Sequence, residues 1–307
     1  MVAMIFTSTQ IPADKQLSQA AIDLVNTAQA ADGVAPLAEH LVAGLKSPEL
    51  EHQHIVVRDA SGQLSGLGAY HGEYAEFVVA PEHRNKGIGR ALAQKLLDAG
   101  IIHFWSHGYL PAAQRIAAGL DLSVSRELLV MAAKRQQLAP ESFAPTPEGY
   151  RVINLREARE SFPDIDAQWL RINNEAFWWH PEQGGWDAER LARAQQTPWF
   201  DPEGVLFLIT VDSEEAEIAG FHWTKKHGDL EAGADGEVYV VGLADSFRGK
   251  KLGGTLVSAG LQYLVQSGAQ RVILYVEADN KPALAAYKRL SFSTLEKHVV
   301  FSAAEQK

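Results

Sequence analysis

A short glycine-rich segment between an apolar stretch and an amphipathic one has the residue types of an anion-binding turn. Residues 84–90 read RNKGIGR. The first backbone N–H groups of a helix lack partners and lie at the positive end of its dipole. A helix that begins near Gly87 therefore favours a bound phosphate or pyrophosphate. Gly87 and Gly89 let the main chain approach the phosphates, and Arg84 and Lys86 add cationic donors. The spacing matches neither a Walker P-loop nor a GxGxxG fingerprint.

The same arrangement occurs a second time, which indicates a tandem repeat. Residues 72–84 align without a gap with residues 236–248, and each segment runs from an apolar strand through a polar turn to an Arg. A chance likeness of two α/β segments is the alternative. The alignment sets Glu73 opposite Glu237. Lys251 takes the place of the first turn's leading glycine; we expect an ordinary φ there, where Lys is tolerated and adds positive charge.

Length and composition agree with two soluble domains. The chain has 307 residues, about twice an ordinary domain. Residues 136–149 hold three prolines and no hydrophobic periodicity, which is typical of a linker. We therefore predict an N-terminal domain over residues 1–138, a linker over 139–149 and a C-terminal domain over 150–307.

Charge and residue usage exclude several classes of partner. The net charge of −10 argues against a nucleic-acid partner, and no apolar run is long enough to span a membrane. The chain has no cysteine and no clustered metal-ligand spacing, so we expect neither a disulfide nor a metal site. These features predict a cytoplasmic protein, which we take to be a monomer.

The elements that must position the two turns form an α/β fold with a mixed sheet in each half. In the first half, a predicted strand at 73–80 leads into a helix at 87–98. In the second half, a strand at 236–243 leads into a helix at 252–267, and a further helix follows at 281–289.

The R-x-x-G-x-G pattern after a strand resembles the acetyl-CoA motif of the GNAT superfamily of N-acetyltransferases. The resemblance implies two tandem GNAT domains, each with an acetyl-CoA site whose pantetheine arm pairs with the strand before the turn. In the first half it assigns to the cofactor Phe77, Val78, Val79, Arg84, Asn85, Lys86, Gly87, Ile88, Gly89 and Arg90. In the second half it assigns Val241, Gly242, Leu243, Arg248, Gly249, Lys250, Lys251, Leu252, Gly253, Gly254, Asn280, Lys281, Pro282, Ala283, Leu284 and Ala285. A glycine inside a strand, as at Gly242, independently indicates a bulge or a close approach.

Acetyl transfer to an amine requires a neutral amine and a proton for the departing thiolate. An α-amine has a pKa of about 8, so a modest base suffices, and Glu237 on the strand before the second turn is the candidate. GNAT enzymes commonly place a tyrosine acid on the later helix, and the resemblance gives this role to Tyr287.

The two halves differ at the acid position. Residues 290–293 align with 120–123, which sets Ala117 opposite Tyr287 and Leu110 opposite Asn280. Glu73 stands opposite Glu237, so a base alone would not distinguish the halves. We expect the second half to be catalytic and the first to hold acetyl-CoA without transferring its acetyl group.

Several runs, above all HPEQGGW at residues 180–186, resemble the mycothiol synthases over nearly the whole chain. These tandem GNAT enzymes acetylate the cysteinyl amine of a cysteinyl-glucosaminyl-inositol. The resemblance assigns substrate contacts to Glu39, Glu182, Lys225, Glu237 and Tyr275. Three tryptophans could wall the substrate pocket or pack under a loop: Trp178, Trp179 and Trp186. Two histidines could act as ligands or bases: His180 and His222.

Two other functions fit the same residues. One is an acetyltransferase for a different amine, such as an aminoglycoside or a protein N-terminus. The other is a non-catalytic acyl-CoA sensor built from two binding domains. Turnover of acetyl-CoA with an amine distinguishes the enzyme from the sensor.

Overall fold

The computed structural model describes residues 5–179, 183–211 and 216–304, which form two compact units. Unit 1 contains residues 5–129 and 296–304, and unit 2 contains the described residues between 130 and 295. The first half of the chain supplies β1 (Ile5–Thr9), α1 (Lys15–Asp32), α2 (Glu39–Gly44), β2 (Gln53–Arg58), β3 (Leu64–His71), β4 (Tyr74–Val79), α3 (Ile88–Asp98), β5 (His103–Ser106), α4 (Pro111–Gly119) and β6 (Ser123–Lys134). The second half supplies β7 (Tyr150–Asn154), α5 (Leu155–Ser161), α6 (Ile165–Ala176), α7 (Ala188–Ala194), β8 (Val205–Thr210), β9 (Ile218–Lys226), β10 (Gly236–Leu243), α8 (Gly253–Gln266), β11 (Arg271–Glu277), α9 (Lys281–Arg289) and β12 (Ser293–Ser302).

Unit 1 is a mixed sheet with helices on both faces. Strands β1 to β4 pair in chain order as antiparallel neighbours, and β4 pairs with β5 in parallel. Successive side chains of a strand point to opposite faces. On β4, Val78 packs with Leu24 of α1, whereas Ala75 packs with Leu92 of α3. The predicted mixed α/β fold is thus confirmed for this unit.

Unit 2 repeats the arrangement. Strands β7 to β10 are antiparallel neighbours, and β10 pairs with β11 in parallel. Trp169 of α6 packs edge-on against Trp223 of β9 at 5.0 Å between ring centroids, and both side chains are fully buried. The neighbouring His222 points to the other face, where its Nδ1 lies 2.7 Å from the Leu256 carbonyl of α8. The sheet is therefore covered by α6 on one face and α8 on the other.

Part of the last strand of each sequence half belongs to the compact unit formed by the other half. Residues 296–302 of β12 belong to unit 1, where Val299 and Phe301 are buried and the strand pairs antiparallel with β5. Residues 130–134 of β6 belong to unit 2, where Val130 packs with Ile273 of β11. The compact units therefore differ from the sequence ranges 1–138 and 150–307. Local periodicity locates a strand but carries no information about which sheet it joins.

Candidate active site

Each unit contains a pair of parallel strands that diverge part-way along their length. In the described registers, β4 pairs with β5 only at Tyr74 and Ala75, and β10 pairs with β11 only at residues 236–238. Beyond those points each strand keeps only its antiparallel neighbour, so its other edge presents backbone N–H and C=O groups to an extended ligand. These edges carry the residues assigned to the pantetheine arm: Phe77, Val78, Val79, Val241, Gly242 and Leu243.

The helix that follows each diverging strand begins without a side-chain cap. The residues at the cap positions are Gly87 before α3 and Leu252 before α8. Neither has a polar side-chain atom, so neither caps its helix. Neither first helical turn carries an acidic residue. Both helix starts therefore keep the N–H groups and the positive dipole end that suit a diphosphate. A Cβ added at Gly253 would meet no atom within 4 Å, which leaves space beside the second helix start.

Lys251 does not have the ordinary backbone conformation that we expected. Its φ is +63°, in the left-handed region, and the matching Gly87 of the first turn has a φ of +84°. A non-glycine residue is disfavoured there because its Cβ crowds the following carbonyl. Lys251 therefore stores a small backbone strain that the first turn avoids with glycine.

Lys251→Gly is expected to raise the free energy of unfolding by about 1 kcal/mol, because glycine adopts positive φ without strain. Gly87→Ala is the matched reverse change and should lower the free energy of unfolding by about the same amount. No atom lies within 4 Å of the added Cβ, so the backbone strain is the only expected cost. Thermal unfolding without ligand measures both. A Lys251→Gly protein less stable than the wild type would contradict this interpretation.

Gly89 lies where α3 packs close to α4. A Cβ at this position would lie 2.8 Å from Cδ1 of Ile116 on α4, so the missing side chain lets α3 and α4 approach closely. Gly242 also allows a close approach, because its Cβ would lie 2.8 Å from Cε1 of Phe221. The contact of Gly242 with the pantetheine arm stays a prediction.

The leading arginine of each turn is bound to the protein. Arg84 pairs with both carboxylate oxygens of Asp32 at 2.6 and 2.8 Å, and Asp32 is the last residue of α1. Arg248 donates to the Glu175 carbonyl at 2.7 Å, near the end of α6. Each arginine thus fixes its turn to the end of a helix.

Other basic side chains of the turns also have protein contacts. Lys86 donates to the Glu82 carbonyl at 3.0 Å, Arg90 donates to a carbonyl at the end of α4 at 2.8 Å, and the Lys250 ammonium lies 4.3 Å from a phenylalanine ring. All three remain exposed at the surface, where they can still turn toward a phosphate.

Glu237 is a buried carboxylate on β10. Its residue is 4% exposed, and its Oε2 lies 2.6 Å from Nε2 of His227. In the strand register Glu237 stands opposite Lys225 of β9 and Ile273 of β11. Tyr275 lies two residues beyond Ile273 and therefore on the same face of the sheet. Three of the five predicted substrate residues thus share one face: Lys225, Glu237 and Tyr275.

The Lys225 side chain is framed by aromatic rings. Its Nζ lies 4.6 Å from the Trp199 ring and 5.5 Å from the Tyr239 ring, and the two rings are 5.2 Å apart. Such cation–π contacts stabilise a buried ammonium. Trp199 and Tyr239 were not predicted from the sequence.

A polar cluster fixes the segment that carries Trp199. Asp201, two residues later, accepts hydrogen bonds from Lys226 at 2.7 Å and from the Tyr263 hydroxyl. Burial opposes ionisation of Asp201, but the bonds from Lys226 and Tyr263 outweigh it and hold the pKa of Asp201 below its usual value. Lys226 thus fixes the loop whose Trp199 ring lies against the neighbouring Lys225.

A β-bulge distinguishes β10 from β4. The register of β10 with β9 shifts between Val238 and Val240, so Tyr239 is an extra residue. The described register of β4 with β3 runs from Tyr74 to Val79 without a shift. A gapless sequence alignment therefore misplaces the residues that precede the bulge.

The bulge changes which first-half residue corresponds to Glu237. Glu237 pairs with Ile273 on β11, and Tyr74 pairs with His103 on β5. Because the alignment sets His103 opposite Ile273, Tyr74 occupies the register position of Glu237. Glu73 lies in the exposed turn before β4. The gapless match of Glu73 with Glu237 is therefore wrong in the strand register.

Tyr287 lies half-buried on α9, where its ring packs 5.9 Å from that of Phe292. Burial raises the pKa of the Tyr287 phenol above its usual value, so the hydroxyl stays protonated at neutral pH. Asn280 caps the same helix by accepting a hydrogen bond from the Ala283 N–H at 3.2 Å, and residues 281–285 form its first turn. Leu110, before α4 in unit 1, makes no side-chain cap.

The remaining predicted residues have varied surroundings. Glu39 is the exposed first residue of α2 in unit 1, while Glu182 and His180 lie outside the described residues. Trp178 and Trp179 are exposed, whereas Trp186 is buried and stacks beneath Arg190. Burial lowers the pKa of His222 to about 4, which makes it a neutral packing residue.

Two kinds of feature are missing from the described ranges. No helix there is long and apolar enough to cross a bilayer. No group of three or more His, Cys, Asp or Glu side chains there could hold a metal ion.

The profile of the Acetyltransferase (GNAT) family matches residues 39–106 and 168–292. The mycothiol acetyltransferase of Corynebacterium diphtheriae is 47% identical over 280 residues, which cover 91% of this chain and 92% of that protein. The mycothiol acetyltransferase of Nocardia farcinica is 41% identical over 300 residues, which cover 94% and 95%.

Solved structures with this fold include a tandem protein. A tandem GNAT protein from the clavulanic acid biosynthesis pathway matches with a TM-score of 0.67 at 18% identity, over 98% of each chain. A GCN5-related N-acetyltransferase from Sphaerobacter thermophilus matches with a TM-score of 0.66 at 21% identity, over 98% of this chain and 95% of that one. At these identities the likeness establishes the fold.

Proposed function

The chain belongs to the GNAT acetyltransferases and, within them, to the mycothiol acetyltransferases, and on that premise we propose that unit 2 acetylates the cysteinyl amine of a cysteinyl-glucosaminyl-inositol. The observation that carries the proposal is the buried Glu237 carboxylate, which shares a sheet face with Lys225 and Tyr275 on the strand that diverges before α8. Acetyl-CoA supplies the thioester acetyl group.

In the proposed reaction, Glu237 removes a proton from the acceptor ammonium. The neutral amine attacks the thioester carbonyl and a C–N bond forms. The nitrogen then loses its second proton to solvent as the C–S bond breaks. Tyr287 gives its proton to the departing thiolate and is reprotonated from solvent. Because the phenol stays protonated at neutral pH, Tyr287 is suited to the acid role.

Acceptor recognition is proposed to use charge-assisted hydrogen bonds to the sugar and inositol hydroxyls. Lys225 donates from its aromatic frame, and Tyr275 offers a hydroxyl from a side chain that is 43% exposed. Glu39 and Glu182 complete the proposed contacts.

We propose a second acetyl-CoA site in unit 1 that holds its ligand without transfer. The diverging strands and uncapped helix start support binding. Unit 1 has Tyr74 at the register position of Glu237 and, by alignment, Ala117 at the position of Tyr287, so it lacks the proposed base and acid at these two positions.

Incubation with acetyl-CoA and the cysteinyl-glucosaminyl-inositol tests the activity directly. We expect free CoA and an acceptor whose mass has gained one acetyl group on the cysteinyl nitrogen. The matched control is the glucosaminyl-inositol without cysteine. Acetylation of the control at the same rate would indicate another amine, and no acetylation of any amine would favour the acyl-CoA sensor.

Tyr287→Phe is expected to lower kcat by about 10-fold with little change in acetyl-CoA binding. The effect is limited because a CoA thiol, with a pKa of about 8.5, leaves without full protonation. Steady-state kinetics measures the change, and Tyr150→Phe on β7 is the control for loss of a hydroxyl in unit 2. Wild-type kcat in Tyr287→Phe would exclude the phenol as the acid.

A further inference from the structure

His227 is the one described residue that donates a hydrogen bond to the Glu237 carboxylate. Its Nε2 lies 2.6 Å from Oε2 of Glu237, and its side chain is 34% exposed while that of Glu237 is 6% exposed. The imidazole thus lies between a buried carboxylate and solvent. His227 directly follows β9, and its backbone N–H donates to the Asp235 carbonyl at 2.9 Å.

The contact fixes which atom carries the proton. An ionised carboxylate only accepts hydrogen bonds, so a separation of 2.6 Å requires the hydrogen on Nε2 of His227. A charge-assisted bond of this kind is short and directional, so it fixes the orientation of the carboxylate. Among the described residues, Oε1 of Glu237 has no hydrogen-bond partner, so this oxygen can receive a proton from a ligand.

We propose that His227 is a positioning residue for acetyl transfer, whose Nε2–H holds the Glu237 carboxylate with Oε1 oriented toward the acceptor amine. This inference rests on the proposed role of Glu237 as the base. In the step itself, the ammonium N–H bond breaks, an O–H bond forms at Oε1, and the Nε2–H of His227 stays in place. The proton then leaves from Oε1 to solvent.

Two substitutions separate the donor from the side chain's bulk. His227→Ala removes the N–H and should lower kcat by about 10- to 100-fold, the usual effect of losing a hydrogen bond to a charged group. His227→Gln keeps an N–H four bonds from Cα and should retain kcat to within about threefold of wild type. The KM for acetyl-CoA should change little in either variant.

Added imidazole gives a readout that a structural role would not affect. Because the His227 side chain is one-third exposed, free imidazole can enter the space left in His227→Ala and should recover part of the lost kcat. His71→Ala, an exposed histidine of unit 1, is the matched control and should show neither loss nor rescue.

The inference is overturned if folded His227→Ala keeps wild-type kcat. It is also overturned if kcat falls and neither the glutamine variant nor imidazole restores it. Those results differ from failure of the proposed function, in which the wild type itself forms no acetylated cysteinyl product.

Discussion

Glu237→Gln is expected to lower kcat by about 10²–10⁴-fold at pH 7, the usual contribution of a general base. Glutamine keeps the shape of the side chain and can still accept the hydrogen bond from His227, so the fold should survive. The loss should shrink above pH 8, because the amine, with a pKa of about 8, is then neutral without assistance. Initial rates between pH 6.5 and 9.5, at saturating acetyl-CoA, measure the loss of kcat, which should be about two to four decades at pH 7.

Glu73→Gln is the matched control for the loss of a carboxylate. The gapless alignment sets Glu73 opposite Glu237, but Glu73 lies in an exposed turn and should leave kcat unchanged. Wild-type kcat at pH 7 in Glu237→Gln would remove Glu237 as the base. A change confined to the acceptor KM would reassign Glu237 to substrate binding.

A chain that ends at residue 295 is expected to lose the folded state of unit 1. The truncation removes the part of β12 that pairs with β5, together with the buried Val299 and Phe301. Burial of each side chain contributes about 1.5–3 kcal/mol, against a typical total stability of about 5–15 kcal/mol. The fragment 1–138 lacks the same strand and should not unfold cooperatively. Circular dichroism and thermal unfolding measure both.

Adding a peptide of residues 296–304 to the truncated chain should restore cooperative unfolding. A chain that ends at residue 304 keeps β12 and is the control. Cooperative unfolding of the fragment 1–138 alone, at the temperature of unit 1 in the full chain, would show that β12 is dispensable.

Local sequence signals predicted the features that depend on a few neighbouring residues. The glycine-rich turns are recognisable because a helix start and its flanking basic residues lie within seven positions. Glu237 could be placed on a strand because apolar residues follow it up to the next turn. The mixed sheet could be predicted because strands alternate with amphipathic helices in both halves.

Long-range pairing accounts for what the sequence did not predict. The bulge at Tyr239 inserts one residue into β10 that β4 lacks. A gapless alignment across the bulge therefore sets Glu73 opposite Glu237, although Tyr74 holds that position in the strand register. The contact of His227 with Glu237 depends on how β9 turns back into β10. A histidine ten residues before a strand carboxylate, with glycines between them, is a weak signal for such a hairpin.

The placement of β12 and the aromatic frame of Lys225 also needed the structure. Nothing in the ten residues of β12 indicates that they pair with β5. Trp199 reaches Lys225 because the cluster around Asp201 fixes its loop. The left-handed φ of Lys251 was misjudged because residue type alone indicated an ordinary conformation.

The central claim is that both units bind acetyl-CoA and that only unit 2 transfers the acetyl group. The most direct measurement loads the protein with acetyl-labelled acetyl-CoA, removes the unbound ligand and adds excess cysteinyl-glucosaminyl-inositol for a single rapid turnover. We predict two labelled acetyl groups per chain before addition, one transferred to the acceptor and one still bound afterwards. Transfer of both groups, or of neither, or binding of only one acetyl-CoA per chain, would contradict the account.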